Sequence, residues 1–438
     1  MHMKNRTTIS RNIFLNLSAG VAVAPLILPS GVLGAEQALR IGCIGSGRMG
    51  RSNLFAIVSC GSDAGINARI TAICDVDLNR AKSVKMELEK KYADEGLKVE
   101  VAVYQDFREL LASPEIDGVV IATPDHQHAV NAIAAANSKK DIYLQKPLTY
   151  SIDEGQKLVE AVRRNNVILQ TGAQQRSSLY FRKTCELVRN GFLGKLHTIE
   201  VEVPTDSGTG DPTQLPVPKN LDYDMWLGPT PVRPYAERRV HPQNDFTRPG
   251  WLQIEAYCRG MITGWGAHMY DIAQWGLGLD TASGPVEVQA TAEFPQRGLF
   301  DVHVGFHAEA LYANGVKMVS RNGSPGVKFI GSESWIRVYR GGFDAPDRNI
   351  FREKIPENGT HLYVSKNHEA DFLRSMRTRK DPISPVEVGH RSNSVCVIHH
   401  IAMKLGRKLL WDPKAEHFVG DTEANAMLDF PHREPWSV

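Results

Sequence analysis

The tightest restriction on this chain comes from a glycine-rich turn wedged between a strand and a helix. Leu39-Arg40-Ile41-Gly42-Cys43-Ile44 is an apolar run of strand length, and Gly45-Ser46-Gly47-Arg48-Met49-Gly50 follows at once. Asn53, Leu54, Phe55 and Ile57 then continue in a helix-compatible spacing. In this setting Gly45 permits the tight turn, Gly47 lets main chain approach a pyrophosphate, and Gly50 lets the helix pack on its strand. The helix N-terminus adds free N–H groups and positive potential. Arg48 and Met49 lie inside the same turn, so they are candidate cofactor contacts. A second apolar run, Ala68 to Cys74, ends at Asp75. An acid there can accept hydrogen bonds from ribose hydroxyls and repels a 2′-phosphate, which favours NAD over NADP. Asp77 and Arg80 follow closely.

The alternation continues. Strands are expected over 99–103, 117–122, 141–144 and 166–170, and helices over 106–111 and 129–136. Alternating strands and helices imply a doubly wound parallel sheet, whose ligands bind beyond the carboxyl ends of the strands. Those ends carry the glycine turn, Asp75, Thr123-Pro124-Asp125-His126-Gln127-His128 and Gln145-Lys146-Pro147. Thr123, Pro124, His128, Gln145 and Lys146 are therefore expected to border the cofactor, His128 by shaping its pocket.

After about residue 172 the texture changes. Residues 196–203 alternate as a half-buried strand does, and 286–293, 301–312, 316–320 and 335–339 read as further strands. Residues 204–256 are rich in Pro, Gly and Asp and read as a long functional loop. Helices are expected over 368–377 and 392–405, returning towards the first domain. The fold class is thus α/β: an N-terminal Rossmann domain over 36–171, and an α+β domain with an open, mainly antiparallel sheet over 172–438. The sheet's uncovered face is a place for homo-oligomer contacts.

Residues 1–35 stand apart. Lys4, Arg6 and Arg11 precede an apolar stretch from Ile13 to Leu28, and small residues follow from Ser30 to Ala35. Basic, apolar, then small is the order of an export signal, here resembling a twin-arginine signal with Asn12 in place of the second arginine. Cleavage is expected near 34–36 and the mature chain in the periplasm, with no membrane association beyond export. A diffusible nucleotide pool is not expected there, so the cofactor would be carried out tightly bound. The net charge of +2 gives no reason to expect a nucleic-acid partner. The six cysteines show no CxxC spacing, and no metal site is expected.

GCIGSGRMG, ICDVD, ATPDHQH, LQKPLT, TGAQQRS and GWGAHMYDIAQWGLG together resemble the Gfo/Idh/MocA family (glucose-fructose oxidoreductase and inositol dehydrogenase), from about residue 39 to the end. The resemblance implies hydride exchange between a nicotinamide dinucleotide and a carbinol of a sugar, inositol or glycoside. It places the family's active-site lysine at Lys146, its histidine at His268 and a following aspartate at Asp271. Two departures stand out: the Glu before the lysine is Gln145, and the Asp four residues before the histidine is Gly264.

Removing a hydroxyl proton suits a group with a pKa near ambient pH, so His268 is read as general base in oxidation and general acid in reduction. Lys146 orients and polarises the reacting oxygen, and the reverse assignment is the alternative. Asp271 shares a helix face with His268. Arg176, Trp226, His241, Tyr257, Arg259 and Trp265 are candidate sugar contacts. The expected activity is oxidation of a sugar or glycoside hydroxyl, specifically at C3 of a pyranoside. Redox-neutral glycoside cleavage through a 3-keto intermediate and a non-catalytic sugar or nucleotide sensor are the alternatives.

Overall fold

The computed structural model describes residues 37–61, 66–279, 284–436 and 438. The expected export segment, residues 1–35, lies outside them. Six parallel strands, β1 (Leu39–Ile44), β2 (Ala68–Cys74), β3 (Ala102–Tyr104), β4 (Gly118–Ile121), β5 (Asp141–Leu144) and β6 (Leu169–Thr171), pair in the order β3-β2-β1-β4-β5-β6. The order reverses between β1 and β4, and the crevice of such sheets opens there. Ile41, Cys43, Val119, Val120, Ile142 and Leu144 are fully buried, as expected for strands covered on both faces.

Helices Arg48–Gly61, Leu78–Asp94, His128–Asn137 and Ile152–Asn165 connect the strands. Two start on clear caps: Asp77 accepts from the N–H groups of Asn79 and Arg80, and Ser151 forms a reciprocal capping box with Glu154. The last strand starts later than its apolar pattern suggests, because Asn166 is left-handed (φ +52°) and ends the helix before it.

The second sheet contains β7 (Leu196–Val203), β8 (Glu287–Glu293), β9 (Gly305–Leu311), β10 (Lys317–Asn322), β11 (Gly326–Gly331), β12 (Trp335–Tyr339), β13 (Gly342–Asp344), β14 (Leu409–Asp412) and β15 (His417–Phe418). Their order is β13-β12-β11-β7-β10-β9-β8-β14-β15. The pairs are antiparallel except β7 with β10. One face packs on helices Leu179–Arg189, Gly266–Leu277 and Val386–Leu405 through Ile199, Val201, Ala308, Met318, Val327 and Ile336. The other carries charged side chains, among them Glu200, Glu202, Glu309, Lys317 and Arg321.

Two excursions couple this region to the first sheet. Helix His368–Thr378 sends Phe372, Leu373 and Met376 into the core that contains Ile41 and Leu54. The long loop after β7 is stitched to the end of β2: Leu78 N–H donates to Asn220 O at 3.0 Å and Asp222 N–H to Val76 O at 2.9 Å. That seam roofs the crevice.

Candidate active site

The crevice is lined by the glycine turn, the ends of β2, β4 and β5, and the long loop through Met225, Trp226, His241, Pro249 and Trp251. The three glycines do different work. Gly45 has φ +89°, and a Cβ there would sit 2.8 Å from Ala122 O. A Cβ on Gly50 would meet Gly45 O at 1.9 Å, so the helix packs this closely only without a side chain. A Cβ on Gly47 would meet nothing nearer than Arg80 Nη1 at 3.9 Å. Gly47 is thus not required by the protein's own packing, and it faces the cleft.

Asp75 is fixed before any ligand arrives. Ser46 donates to its Oδ2 from N–H at 2.8 Å and from Oγ at 2.9 Å, and Asp77 N–H donates to Oδ1 at 2.9 Å. A carboxylate has further lone pairs for ribose hydroxyls. Arg48, Met49, Thr123, Pro124, Gln145 and Lys146 line the same cleft. Thr123 Oγ1 is buried there without a partner. An open glycine, a pre-aimed carboxylate and an orphaned hydroxyl fit a nicotinamide dinucleotide: Gly45–Gly50 would hold its pyrophosphate and Asp75 its adenosine ribose. His128 does not line the cleft. Its Nδ1 lies 2.7 Å from Pro147 O and its Nε2 3.0 Å from Thr123 O, so it ties the ends of β4 and β5 together from behind.

At the other end, Lys146 Nζ donates to Gly264 O at 2.7 Å, four residues before His268. Burial lowers the lysine's pKa; Asp125 opposes the shift, and Arg340 and Arg48 add to it. His268 is 5% exposed, and its Nδ1 has no partner. Burial, then Lys146 and Arg340, hold its pKa well below the usual imidazole value, so the ring is neutral at neutral pH. Gln145 cannot charge-pair with the lysine. Its amide donates instead to Asn53 Oδ1 at 2.7 Å, and Asn53 donates to Glu369 Oε1 at 3.2 Å.

Several expected contacts are corrected. Asp271 does not hydrogen-bond His268. It forms a bidentate pair with Arg176 (2.8 and 2.7 Å) and accepts from Ser392 Oγ at 2.7 Å. Helical spacing set Asp271 on the histidine's side of the helix, but the nearer guanidinium claims the carboxylate. Arg176 is 2% exposed and lies 4.8 Å from the Trp275 ring, so it is a buried counter-ion rather than a free sugar contact.

Tyr257 is fully buried against Trp226 and His126. Arg259 donates to Tyr150 O at 3.0 Å and covers that residue's ring. Both belong to the packing. His241 lines the cleft but donates to Asp77 Oδ2 at 3.0 Å, at the Asp75 end. Trp226 forms cleft wall, stacked on Tyr223. Trp265 is beside His268, with ring centroids 6.1 Å apart.

Two site residues escaped the sequence reading. Asp125 was visible within ATPDHQH, at the end of β4. It is 4% exposed, lines the cleft and leaves Oδ2 unpartnered. Burial raises its pKa to about 7, with Lys146 pulling the other way. Arg340 lies in the β12–β13 turn, its guanidinium carbon 4.5 Å from the Trp265 ring. Nothing in its local sequence points to this.

This crevice belongs to a fold found in many enzymes, and comparison with known proteins says which. Residues 39–173 match the description "Oxidoreductase family, NAD-binding Rossmann fold", and residues 185–438 match "Oxidoreductase family, C-terminal alpha/beta domain", the two parts of one family. The chain belongs to the Gfo/Idh/MocA oxidoreductase family.

Among its relatives, a myo-inositol 2-dehydrogenase of Thermotoga maritima is 32% identical over 188 residues, 42% of this chain and 48% of the relative. A scyllo-inositol 2-dehydrogenase (NAD(+)) of Bacillus subtilis is 31% identical over 161 residues, 36% of this chain and 43% of the relative. The aligned stretches thus span about half the length of these curated relatives. The Bordetella pertussis WlbA dehydrogenase, solved with NADH and UDP-GlcNAcA, shares the fold at a TM-score of 0.62 and 16% identity, covering 86% of this chain and 98% of that one. As a Gfo/Idh/MocA protein, this chain carries the family's NAD-binding Rossmann domain and its C-terminal alpha/beta domain.

Proposed function

We propose that this Gfo/Idh/MocA protein oxidises a ring hydroxyl of a sugar or glycoside and reduces the corresponding ketone, specifically at C3 of a pyranoside. The observation that carries the reading is Lys146, in the cleft wall, donating to Gly264 O four residues before a neutral, buried His268. The inositol relatives act on a cyclic polyol, and C3 of a pyranoside resembles such a carbinol: a secondary alcohol flanked by two others.

A bound nicotinamide dinucleotide supplies the hydride acceptor and donor. The chain supplies the rest. Lys146 exchanges Gly264 O for the substrate oxygen, fixing its position and stabilising negative charge on it. His268, already neutral, takes the hydroxyl proton on a free ring nitrogen and returns it in reduction. Trp265 offers an apolar face beside the ring.

NAD is the proposed cofactor, because Asp75 occupies the place where a 2′-phosphate would need a cation. Export to the periplasm with the nucleotide tightly held, and a homo-oligomer built through the uncovered sheet face, complete the proposal. An absorbance spectrum of the purified protein tests the reading. A bound-nucleotide signal that gains or loses the reduced band near ~340 nm on adding glycosides supports it. Protein that shows no nucleotide and stays silent after added NAD and sugar overturns it.

A further inference from the structure

Arg340 is held in place without being neutralised. Its guanidinium lies over the Trp265 ring at 4.5 Å, and that ring meets His268 at a steep angle, centroids 6.1 Å apart. Gln175 spans the gap beneath. With its amide oxygen turned to the arginine it accepts from Nε at 3.2 Å, and its NH2 donates to His268 O at 3.3 Å.

Neighbouring arginines behave differently. Arg176 is paired with Asp271, Arg337 with Glu202 and Arg348 with Asp344. Among the described residues no carboxylate pairs with Arg340, and burial is the one influence on its pKa, which falls.

The charge is felt where the chemistry occurs: Arg340 disfavours the protonated forms of both His268 and Lys146. Asp125, the carboxylate that most stabilises the lysine's charge, is itself driven towards its neutral form. Beside the Trp265–His268 ring pair, then, stands a guanidinium held by an aromatic ring and an amide rather than by a carboxylate. Arg340 is exposed, so its guanidinium is open to an arriving anion while Trp265 and Gln175 hold it.

We propose that Arg340 is the anion-recognition residue of the substrate site, and that the substrate is a sugar or polyol bearing an oxyanion, a carboxylate or a phosphate monoester. The guanidinium fork suits either group, and Trp265 and Gln175 restrict its orientation. This specificity rests on the oxidoreductase reading above. The anion anchors the ring while Lys146 and His268 address the carbinol, so a neutral sugar of the same shape is a poorer substrate.

The test compares glucuronate, glucose 6-phosphate and glucose with the NAD-loaded protein and with its Arg340→Gln and Arg340→Lys variants. Wild type is expected to favour one of the two anions in kcat/KM. Arg340→Gln should lower kcat/KM for the favoured anion about 10- to 100-fold more than it does for glucose, the loss of a charge-assisted hydrogen bond. Arg340→Lys should restore part of it. The favoured anion distinguishes carboxylate from phosphate.

Equal use of glucose and both anions by wild type, or an equal loss for all three in Arg340→Gln, overturns the proposal. If none of the three alters the nicotinamide spectrum, the oxidoreductase reading loses support, and calorimetric titration of the same compounds decides the anion site separately. Binding of an anion that is lost in Arg340→Gln upholds it, and failure of both anions to bind wild type overturns it.

Discussion

The two ends of the cleft are built on different principles. The nucleotide end is made of consecutive residues at strand termini, where the main chain does most of the work. Gly45 and Gly50 are fixed by backbone contacts, and Asp75 by N–H groups of Ser46 and Asp77. The proposed substrate end is made of side chains from distant segments: Lys146 after β5, His268 in a later helix and Arg340 in a hairpin turn. At the first end a residue's place in a motif indicates its role. At the second, the partner that reaches it decides: Asp271 has the right spacing to serve His268 but is bound to Arg176 and Ser392.

The largest test of this contrast is removal of the two side chains proposed to react. Lys146→Ala and His268→Ala should each lower kcat by about 10²- to 10⁴-fold, with nucleotide binding and unfolding temperature near wild type. Equal loss of nucleotide affinity would merge the two ends into one functional unit.

The Arg176–Asp271 pair should respond in the opposite way. Breaking it with Asp271→Asn or Arg176→Gln leaves a buried charge unmatched and should cost about 3–5 kcal/mol in denaturant unfolding. Replacing both residues with apolar ones should recover much of that loss. Stable single variants with selectively lost turnover would return Asp271 to the chemistry.

Asp125 links the ends and offers a pH signature. Its folded pKa of about 7 lies above its ordinary 3.8, so the folded state retains a proton that the unfolded chain has released. Stability from this group is present below about 4 and declines as pH rises towards about 7. Asp125→Asn should therefore gain on wild type over that window, by about 2–4 kcal/mol at its upper end in unfolding titrations. A constant difference across the window would place the carboxyl in an ionised state throughout.

The glycines give the finest comparison. Gly50→Ala should fail to pack its helix, whereas Gly47→Ala should fold with about 1 kcal/mol or less change in stability, as for an unstrained surface substitution, and lose nucleotide affinity. Fluorescence titration with NAD separates these outcomes, and a nucleotide-competent Gly47→Ala variant would remove the pyrophosphate from this turn.

The sequence by itself determined the parallel sheet, the position of its crevice and the glycine turn, and by resemblance it singled out Lys146 and His268, the reacting pair of the proposal. These depend on local rules: a glycine that admits no side chain, a strand buried on both faces, a motif of fixed spacing. Strand β11 was missed because its short apolar run is closed by glycines at both ends, and the parallel pairing of β7 with β10 has no local signature.

Tertiary structure alone decided how the charges are matched. Asp271 with Arg176, Asp125 beside Lys146 and Arg340 over Trp265 join residues 95, 21 and 75 positions apart that no periodicity connects, and side-chain pairing of this kind depends on distance and burial in space rather than on order along the chain. That is why Tyr257 and Arg259, plausible sugar contacts by residue type, became packing, while an arginine with no local signal came to stand over Trp265, beside His268.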